Sequence, residues 1–258
     1  MEKKLIYILG PGHCGSTILE IYIANYNNVF SLGEVAQLDV RSRRKSPRIP
    51  DRSDIFDKFI GKQFRPRVNF WRRFLLVAAA FFPFFRDKEI REICDVTFDL
   101  MCQVTNVRCF TDGSKEWQRL FALMSDDRFD LFVLYLYRKP SLVHQSYTRK
   151  YQDCRGLRKS FGCLLAAVLI RARGFKNIVG LNYDEFLFNQ NAEIFGMHLP
   201  IIDVLDVSRF SGVGGNRLVD NESILIQRNS RCSSGRSSLI LKFLDFSFFR
   251  LIKFFKLF

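Results

Sequence analysis

Residues 4–18, KLIYILGPGHCGSTI, constrain the fold of this chain more than any other stretch. The apolar run Leu5–Leu9 ends at a glycine turn, which is typical of a buried strand in a parallel sheet. The loop Gly10–Gly15 follows, and a helical pattern begins at Ser16 and Thr17. A strand, a glycine loop and a helix start direct backbone N–H groups toward one point. The stretch therefore predicts a phosphate-binding loop.

The loop nearly matches the P-loop of nucleoside triphosphatases, whose pattern is Gly, four residues, Gly, Lys, Ser/Thr. Gly10, Gly15 and Thr17 occupy the expected positions, but Ser16 stands where the lysine is required. That lysine normally reaches the terminal phosphates of the nucleotide beside a magnesium ion. The sequence thus argues against ATP or GTP turnover and leaves the anion cradle intact.

The glycine loop followed by Ser-Thr resembles the donor-binding loop of sulfotransferases that use 3′-phosphoadenosine 5′-phosphosulfate (PAPS). Bacterial and Golgi-type carbohydrate or tyrosylprotein sulfotransferases are the relatives that this resemblance suggests. It implies an α/β fold of the P-loop nucleotidase type, with three α/β/α layers, a mostly parallel central sheet and a helical insertion. It also implies that the 5′-phosphosulfate is bound by Gly12, His13, Cys14, Gly15, Ser16 and Thr17. A glycine turn without a ligand is the alternative.

The loop departs from the family at two positions. His13 stands where family members usually carry arginine, and Cys14 stands where they carry Ser or Thr. Without the cation, the electrostatic attraction between the loop and the phosphosulfate is weaker, although a neutral imidazole still donates one hydrogen bond. A slow enzyme or a non-catalytic descendant of the family is therefore also compatible with the sequence.

The predicted strand Asp130–Tyr137 ends in Arg138-Lys139-Pro140, and Ser146 lies eight residues after the arginine. The physical chemistry suits phosphate, because a guanidinium forms two parallel hydrogen bonds and a hydroxyl in the following helix adds a donor. Pro140 suits the first turn of that helix. Arg-x-Pro with this serine spacing is similar to the sulfotransferase element that binds the 3′-phosphate. The resemblance therefore implies this role for Arg138 and Ser146.

Two residues are candidates for catalysis. Glu34 follows the predicted helix Ser16–Tyr26 at the distance where several sulfotransferases carry the glutamate that serves as base toward the acceptor hydroxyl. The predicted strand Val107–Lys115 ends in an Asp-x-Ser-Lys element similar to one in bacterial-type sulfotransferases, whose lysine contacts the sulfate and the leaving oxygen. Ligands of open α/β sheets bind at such strand ends. The alternatives are a solvated loop carboxylate and a lysine in water.

Three further residues extend the implied nucleotide site. Asn177–Phe186 predicts a fourth strand, and its end, Tyr-Asp-Glu-Phe, resembles the family's Tyr-Glu-Asp-Leu element. The resemblance implies that Tyr183 contacts the nucleotide, and the alternative is that this element only closes the strand and starts the next helix. That helix is predicted to continue to about Met197. Asn216 and Arg217 loosely resemble a Gly-Asn-x-x-Arg region that closes over the 3′-phosphate, although the family's upstream histidine is absent. A plain glycine turn is the alternative there.

Composition limits the partners. The 258 residues are 48% hydrophobic and carry a formal net charge of +14. We expect one domain over 1–258, with a helical insertion or lid at 36–106 and a basic, Phe-rich extension at 220–258. The charge favours an anionic partner, whether nucleotide, acidic glycan, nucleic acid or anionic lipid. No pattern indicates specific nucleic-acid binding, and three scattered histidines predict no metal site.

The sequence also bears on where the protein is located. It opens without a secretory signal, and seven cysteines without a C-x-x-C pair favour free thiols, so we expect a cytoplasmic protein. The segment 239–258 predicts an amphipathic helix with Lys242, Asp245, Arg250, Lys253 and Lys256 on one face. It could lie peripherally on the cytosolic membrane face, or pack on the domain or a second subunit. The oligomeric state is open.

The function implied is transfer of a sulfuryl group from PAPS to a hydroxyl, with a carbohydrate or glycolipid as the favoured acceptor. One alternative is a P-loop nucleotide kinase or ATPase, in which Asp112 would bind magnesium. Another is a non-catalytic protein that binds a membrane surface or another anion through its positive charge. Binding of that kind would weaken steeply with salt.

Overall fold

A five-stranded, mostly parallel sheet with helices on both sides forms the centre of the structure, in the strand order β2-β3-β1-β4-β5. The computed structural model describes residues 3–26, 29–39, 55–66, 69–82, 87–153, 155–188, 193–195, 197–198, 204–213, 223–225 and 239–255. The strands are β1 (Lys3–Leu9), β2 (Val29–Ser31), β3 (Cys109–Lys115), β4 (Phe129–Tyr137), β5 (Ile178–Asn182), β6 (Glu193–Ile194), β7 (Met197–His198), β8 (Val204–Asp206) and β9 (Ser223–Leu225). The helices are α1 (Ser16–Tyr26), α2 (Phe70–Phe81), α3 (Lys88–Gln103), α4 (Trp117–Leu123), α5 (Pro140–Tyr151), α6 (Arg155–Ala172), α7 (Tyr183–Phe188) and α8 (Leu239–Phe254).

The α/β architecture expected from the sequence is confirmed. Residues 5–9 of β1 are all buried, as a continuous apolar run in a central strand requires. Helix α1 begins at Ser16 and ends at Tyr26, as predicted, and β3 and β4 end at the predicted Lys115 and Tyr137. The central strands and the helix after the glycine loop thus follow from local sequence patterns.

Three local predictions were wrong or incomplete. Strand β2 was not predicted, because its three residues form a strand only through parallel pairing with β3, Ser31 opposite Thr111. The fourth strand ends at Asn182 rather than 186, since the Asn182 side chain accepts a hydrogen bond from the backbone N–H of Asp184 and starts α7. The helix predicted to reach Met197 ends at Phe188, and an antiparallel pair, β6 with β7, follows.

The chain divides into two compact units, each assembled from separate stretches. The first unit comprises Met1–Ile8, Thr17–Phe132 and Asp206–Ser223. The second unit comprises Leu9–Ser16, Val133–Leu205 and Ile224–Phe258. The glycine loop therefore belongs to the same unit as α5, α6, α7 and α8.

The core of the first unit contains a buried ion pair between Arg119 of α4 and Asp112 of β3, both fully buried. Arg119 donates to Asp112 Oδ2 from Nε at 2.9 Å and from Nη2 at 2.7 Å. Its remaining bonds go to the Phe64 carbonyl at 2.5 Å and to Thr97 Oγ1 at 3.1 Å. Asp112 Oδ1 accepts from the Ser114 N–H at 2.9 Å. These bonds fix the end of β3.

In the second unit, α8 packs against the protein through a narrow stripe that includes the buried Phe248 and Ile252. The Phe248 ring lies edge-on to Phe161 of α6, with centroids 5.5 Å apart. Asp245 accepts hydrogen bonds from the N–H (2.9 Å) and the hydroxyl (2.5 Å) of Ser141, and so caps the N-terminus of α5. The sequence predicted Asp245 on the same face of α8 as the lysines and Arg250. Its carboxylate instead points toward the protein, where it contacts α5.

The predicted helical insertion contains α2 and α3, and α2 leaves apolar side chains exposed. Trp71, Phe74 and Leu75 lie on one side of α2 and are exposed, as is Phe82 directly after the helix, while Leu76 on the other side is buried. In the described part of the chain, no helix has the length and apolar character needed to cross a bilayer.

The buried ion pair gives a stability prediction. Arg119→Met keeps much of the side-chain volume but leaves the Asp112 carboxylate buried without its cation, so we expect the free energy of unfolding to fall by about 3–5 kcal/mol. Urea denaturation measures this change. Arg155→Ala, which removes a largely exposed partner of Asp153, is the control and should leave the urea midpoint unchanged. An unchanged midpoint for Arg119→Met would contradict the assigned role.

Candidate functional site

The glycine loop of the second unit is packed under two tyrosine rings. Gly15 has φ +91°, and a Cβ atom there would overlap the ring of Tyr183. A Cβ atom at Gly12 would overlap the hydroxyl of Tyr147. These glycines are required because the space beside them is filled, and the positive φ adds a backbone reason at Gly15.

Arg138 contacts the same tyrosine that covers the loop. Its guanidinium carbon lies 5.3 Å from the Tyr183 ring centroid, and its Nε donates to Asp184 Oδ1 at 3.0 Å. Parallel pairing of β4 with β5 places Tyr137 opposite Asn182, so the residues that follow each strand meet. Burial raises the pKa of Tyr183 to about 12. The structure thus brings the loop, Tyr183 and Arg138 together through direct contacts.

Ser146 is only partly brought into this arrangement. It is half-buried on α5, next to Tyr147, whose hydroxyl reaches Gly12. Among the described residues its hydroxyl forms no hydrogen bond with Arg138 or with the loop. Its role as a ligand of the 3′-phosphate stays a prediction.

The two departures from the family pattern have different surroundings. The His13 ring is edge-on to Tyr147, with centroids 4.9 Å apart, and 5.6 Å from Tyr151, and His13 adopts φ 64°. Cys14 is fully buried, so its backbone rather than its side chain faces any ligand of the loop. Ser16 and Thr17 are buried at the start of α1.

The predicted Asn216 and Arg217 lie outside the described residues.

The first unit brings together the two predicted catalytic residues. Lys115, the last residue of β3, donates from Nζ to Glu34 Oε1, and Gln37 Nε2 donates to Glu34 Oε2. The side chains of Lys115 and Glu34 are 17% and 22% exposed, so both are shielded but reachable. An ion pair between a carboxylate and an ammonium group can exchange protons with a ligand and stabilise negative charge.

The backbone around Glu34 is held by hydrogen bonds. The Glu34 N–H donates to the Val213 carbonyl at 2.6 Å, and the Gly113 N–H donates to the Gly33 carbonyl at 2.8 Å. Gly33 has φ 66°, and a Cβ atom there would collide with the backbone of Val213. A rigid backbone of this kind limits the positions that Glu34 can take.

Glu20 is a buried carboxyl beneath this pair that was not predicted as a site residue. Glu20 Oε1 accepts hydrogen bonds from Ser31 Oγ at 3.0 Å and Thr111 Oγ1 at 3.3 Å. Its other oxygen lies against Gly113, where a Cβ atom would overlap it. Burial raises the pKa of Glu20 to about 8, although nearby Lys115 opposes this. The signal in the sequence is an acidic residue inside the apolar run of α1.

The Asp112 carboxylate, considered above as a magnesium ligand, is held by Arg119 and by the Ser114 N–H. An ion pair of this kind competes with metal coordination, and the residue is fully buried. Its geometry therefore favours a structural role over one in a nucleotide kinase.

Comparison with known proteins gives a fold relationship. No protein-family model matches the sequence, and no curated protein matches it. The sulfotransferase domain from the Synechococcus PCC 7002 olefin synthase is similar in structure, with a TM-score of 0.53 and 15% identity over 99% of this chain and 96% of that one. The sulfotransferase domain from the curacin biosynthetic pathway gives a TM-score of 0.50 and 14% identity over 98% of each chain. At these identities the likeness shows a shared fold.

The raised pKa of Glu20 gives a prediction about pH. Between its ordinary value of 4.5 and about 8, Glu20 is protonated in the folded state and ionised in the unfolded state. The unfolded state then binds fewer protons, so stability falls as pH rises through this window. Glu20→Gln removes the effect, and its stability relative to wild type should rise by about 1.4 kcal/mol per pH unit.

Urea denaturation of wild type and Glu20→Gln at several pH values between 5 and 9 measures this difference. Glu92→Gln, at an exposed position of α3, controls for the change in net charge. A difference between wild type and Glu20→Gln that stays constant over the whole range would show that Glu20 titrates normally.

Proposed function

We propose that this protein is a sulfotransferase that moves a sulfuryl group from PAPS to a hydroxyl of an acceptor. The observation that carries the proposal is the line of contacts from Gly15 through Tyr183 to Arg138. A phosphate-binding loop and a guanidinium within one unit suit a ligand with phosphates at two ends. The fold shared with sulfotransferase domains supports the same conclusion.

The chemistry of the donor groups fits PAPS. Backbone N–H groups at the start of α1 and in the loop would bind the 5′-phosphosulfate. Asp184 uses only the Nε of Arg138, and a guanidinium carries two further nitrogens that bind phosphate. Ser146 would add a hydroxyl. Since the loop has His13 where the family carries a cation, Arg138 supplies more of the positive charge that attracts the phosphates.

Glu34 and Lys115 would perform the transfer. The acceptor oxygen bonds to sulfur while the bond from sulfur to the bridging phosphate oxygen breaks, the acceptor proton passes to Glu34, and Lys115 stabilises the leaving oxygen. The two side chains pair with each other in the structure.

The acceptor we propose is a carbohydrate or a lipid-linked saccharide, handled by a cytoplasmic protein. The exposed apolar side chains of α2, including Trp71 and Phe74, support an acceptor with an apolar portion. A screen with radiolabelled PAPS against polysaccharide, lipid and phenol pools identifies the class, and sulfation confined to phenols would contradict this choice.

Nucleotide binding gives the first test. We expect 3′-phosphoadenosine 5′-phosphate to raise the melting temperature and ATP to raise it much less, because Ser16 replaces the P-loop lysine. Arg138→Ala should weaken binding of the bisphosphate about 10–100-fold, the range for loss of a charge-assisted hydrogen bond. Lys139→Ala, at the exposed neighbouring position, is the control and should bind as wild type does. Stronger stabilisation by ATP would favour the kinase alternative.

Turnover gives the second test. Lys115→Ala should lower the rate of transfer from radiolabelled PAPS about 10²–10³-fold and leave bisphosphate binding nearly unchanged, because the ammonium acts on charge that develops during transfer. Arg138→Ala should instead act mainly through donor affinity. If both variants matched wild type in rate and in binding, the assigned roles would be wrong.

A further inference from the structure

Helix α8 exposes an apolar surface on the side away from the protein. Five of its large apolar side chains are 41–78% exposed, whereas Phe248 and Ile252 are buried. At 100° per residue the five span an arc of about 140°. We call them the outer face of α8: Ile240, Phe243, Phe246, Leu251 and Phe254. Soluble proteins rarely leave such a contiguous set in water, so the outer face indicates a binding surface.

The exposed charged side chains of α8 are all positive. Lys242, Arg250 and Lys253 are exposed on α8, and Arg250 lies over the Phe246 ring at 4.6 Å. The only acidic residue in α8 is Asp245, whose carboxylate is bonded to Ser141 of α5. The partner of this surface must therefore offer apolar and negatively charged groups together.

We propose that the outer face of α8 docks on a membrane surface that contains anionic lipid. Phenylalanine, leucine and isoleucine side chains would enter the boundary between headgroups and acyl chains, while the cations bind lipid phosphates. The formal net charge of +14 adds attraction to the same surface. Because Phe248 and Ile252 hold the opposite side of α8 against the protein, α8 would lie in the plane of the interface.

A second copy of this chain fits the surface less well. In a two-fold dimer the same patch meets itself, which would bring Lys242, Arg250 and Lys253 of both copies together without an acidic residue from α8. Anionic headgroups supply the missing negative charge. The contacts of Asp245 and Phe248 hold α8 rigidly within the second unit. Binding of α8 to a membrane would therefore cost little conformational entropy. This inference does not depend on the proposed transferase activity.

The test is sedimentation of the full chain with vesicles of phosphatidylcholine alone or mixed with phosphatidylglycerol. We expect binding to the mixed vesicles that salt weakens, and about tenfold weaker binding to the neutral ones. Replacing both Phe243 and Phe254 by serine, or both Lys242 and Lys253 by glutamate, should each reduce binding at least about tenfold. Leu165→Ser, at an exposed apolar position of α6, is the matched control and should bind as wild type does.

All variants alter exposed positions, and unchanged urea midpoints confirm that they fold. Equal vesicle binding by wild type and both double variants would overturn the proposal. Loss of binding with the glutamate pair alone would mean electrostatic adsorption without insertion, which also overturns it. Light scattering that shows a dimer abolished by the serine pair would assign the face to a second copy. Stabilisation by 3′-phosphoadenosine 5′-phosphate, measured on the same variants, reports separately on the proposed function.

Discussion

The packing of the Tyr183 ring against Gly15 is the contact on which the second unit's candidate site depends. Any side chain at Gly15 would occupy the space of the ring, so the loop and the ring have to be placed together. The same ring carries the guanidinium of Arg138, which Asp184 orients through Nε. A loop at the end of β1 and an arginine at the end of β4 are thereby held in one set of contacts.

Two carboxyl groups buried in the first unit, those of Asp112 and Glu20, have different hydrogen-bond partners. Asp112 is paired with Arg119, whose fully buried guanidinium donates two hydrogen bonds to the carboxylate. Glu20 has hydroxyl donors, and burial raises its pKa to about 8, so it is neutral below that pH. Glu20 therefore adds no second negative charge close to Glu34 at neutral pH, and Lys115 can pair with Glu34 alone.

Local patterns in the sequence predicted the central strands and α1, and the resemblance to sulfotransferases singled out Glu34 and Lys115, but neither predicted the contact between these two residues. That contact follows from the parallel register of β2 and β3, Ser31 opposite Thr111, which sets two distant stretches side by side. No local pattern encodes such a register, and the three-residue β2 was missed for the same reason. Asp184 and Tyr147 were missed because their importance lies in what they touch, Arg138 and Gly12, across long separations in the sequence.

The loop's lack of a cation bears on the nucleotide that we propose for the second unit. A P-loop lysine sits beside the terminal phosphates of ATP, and here that position holds Ser16, with His13 two residues before Gly15. Positive charge comes instead from other elements: Arg138 beside Tyr183, and Lys159, whose Nζ lies 5.3 Å from the ring centroid of Tyr147. Cations placed away from the loop favour a ligand with a second phosphate away from its 5′ chain. A 3′-phosphorylated adenosine donor carries such a second phosphate, and ATP does not. The positions of Arg138 and Lys159 therefore support selectivity for the proposed donor over ATP.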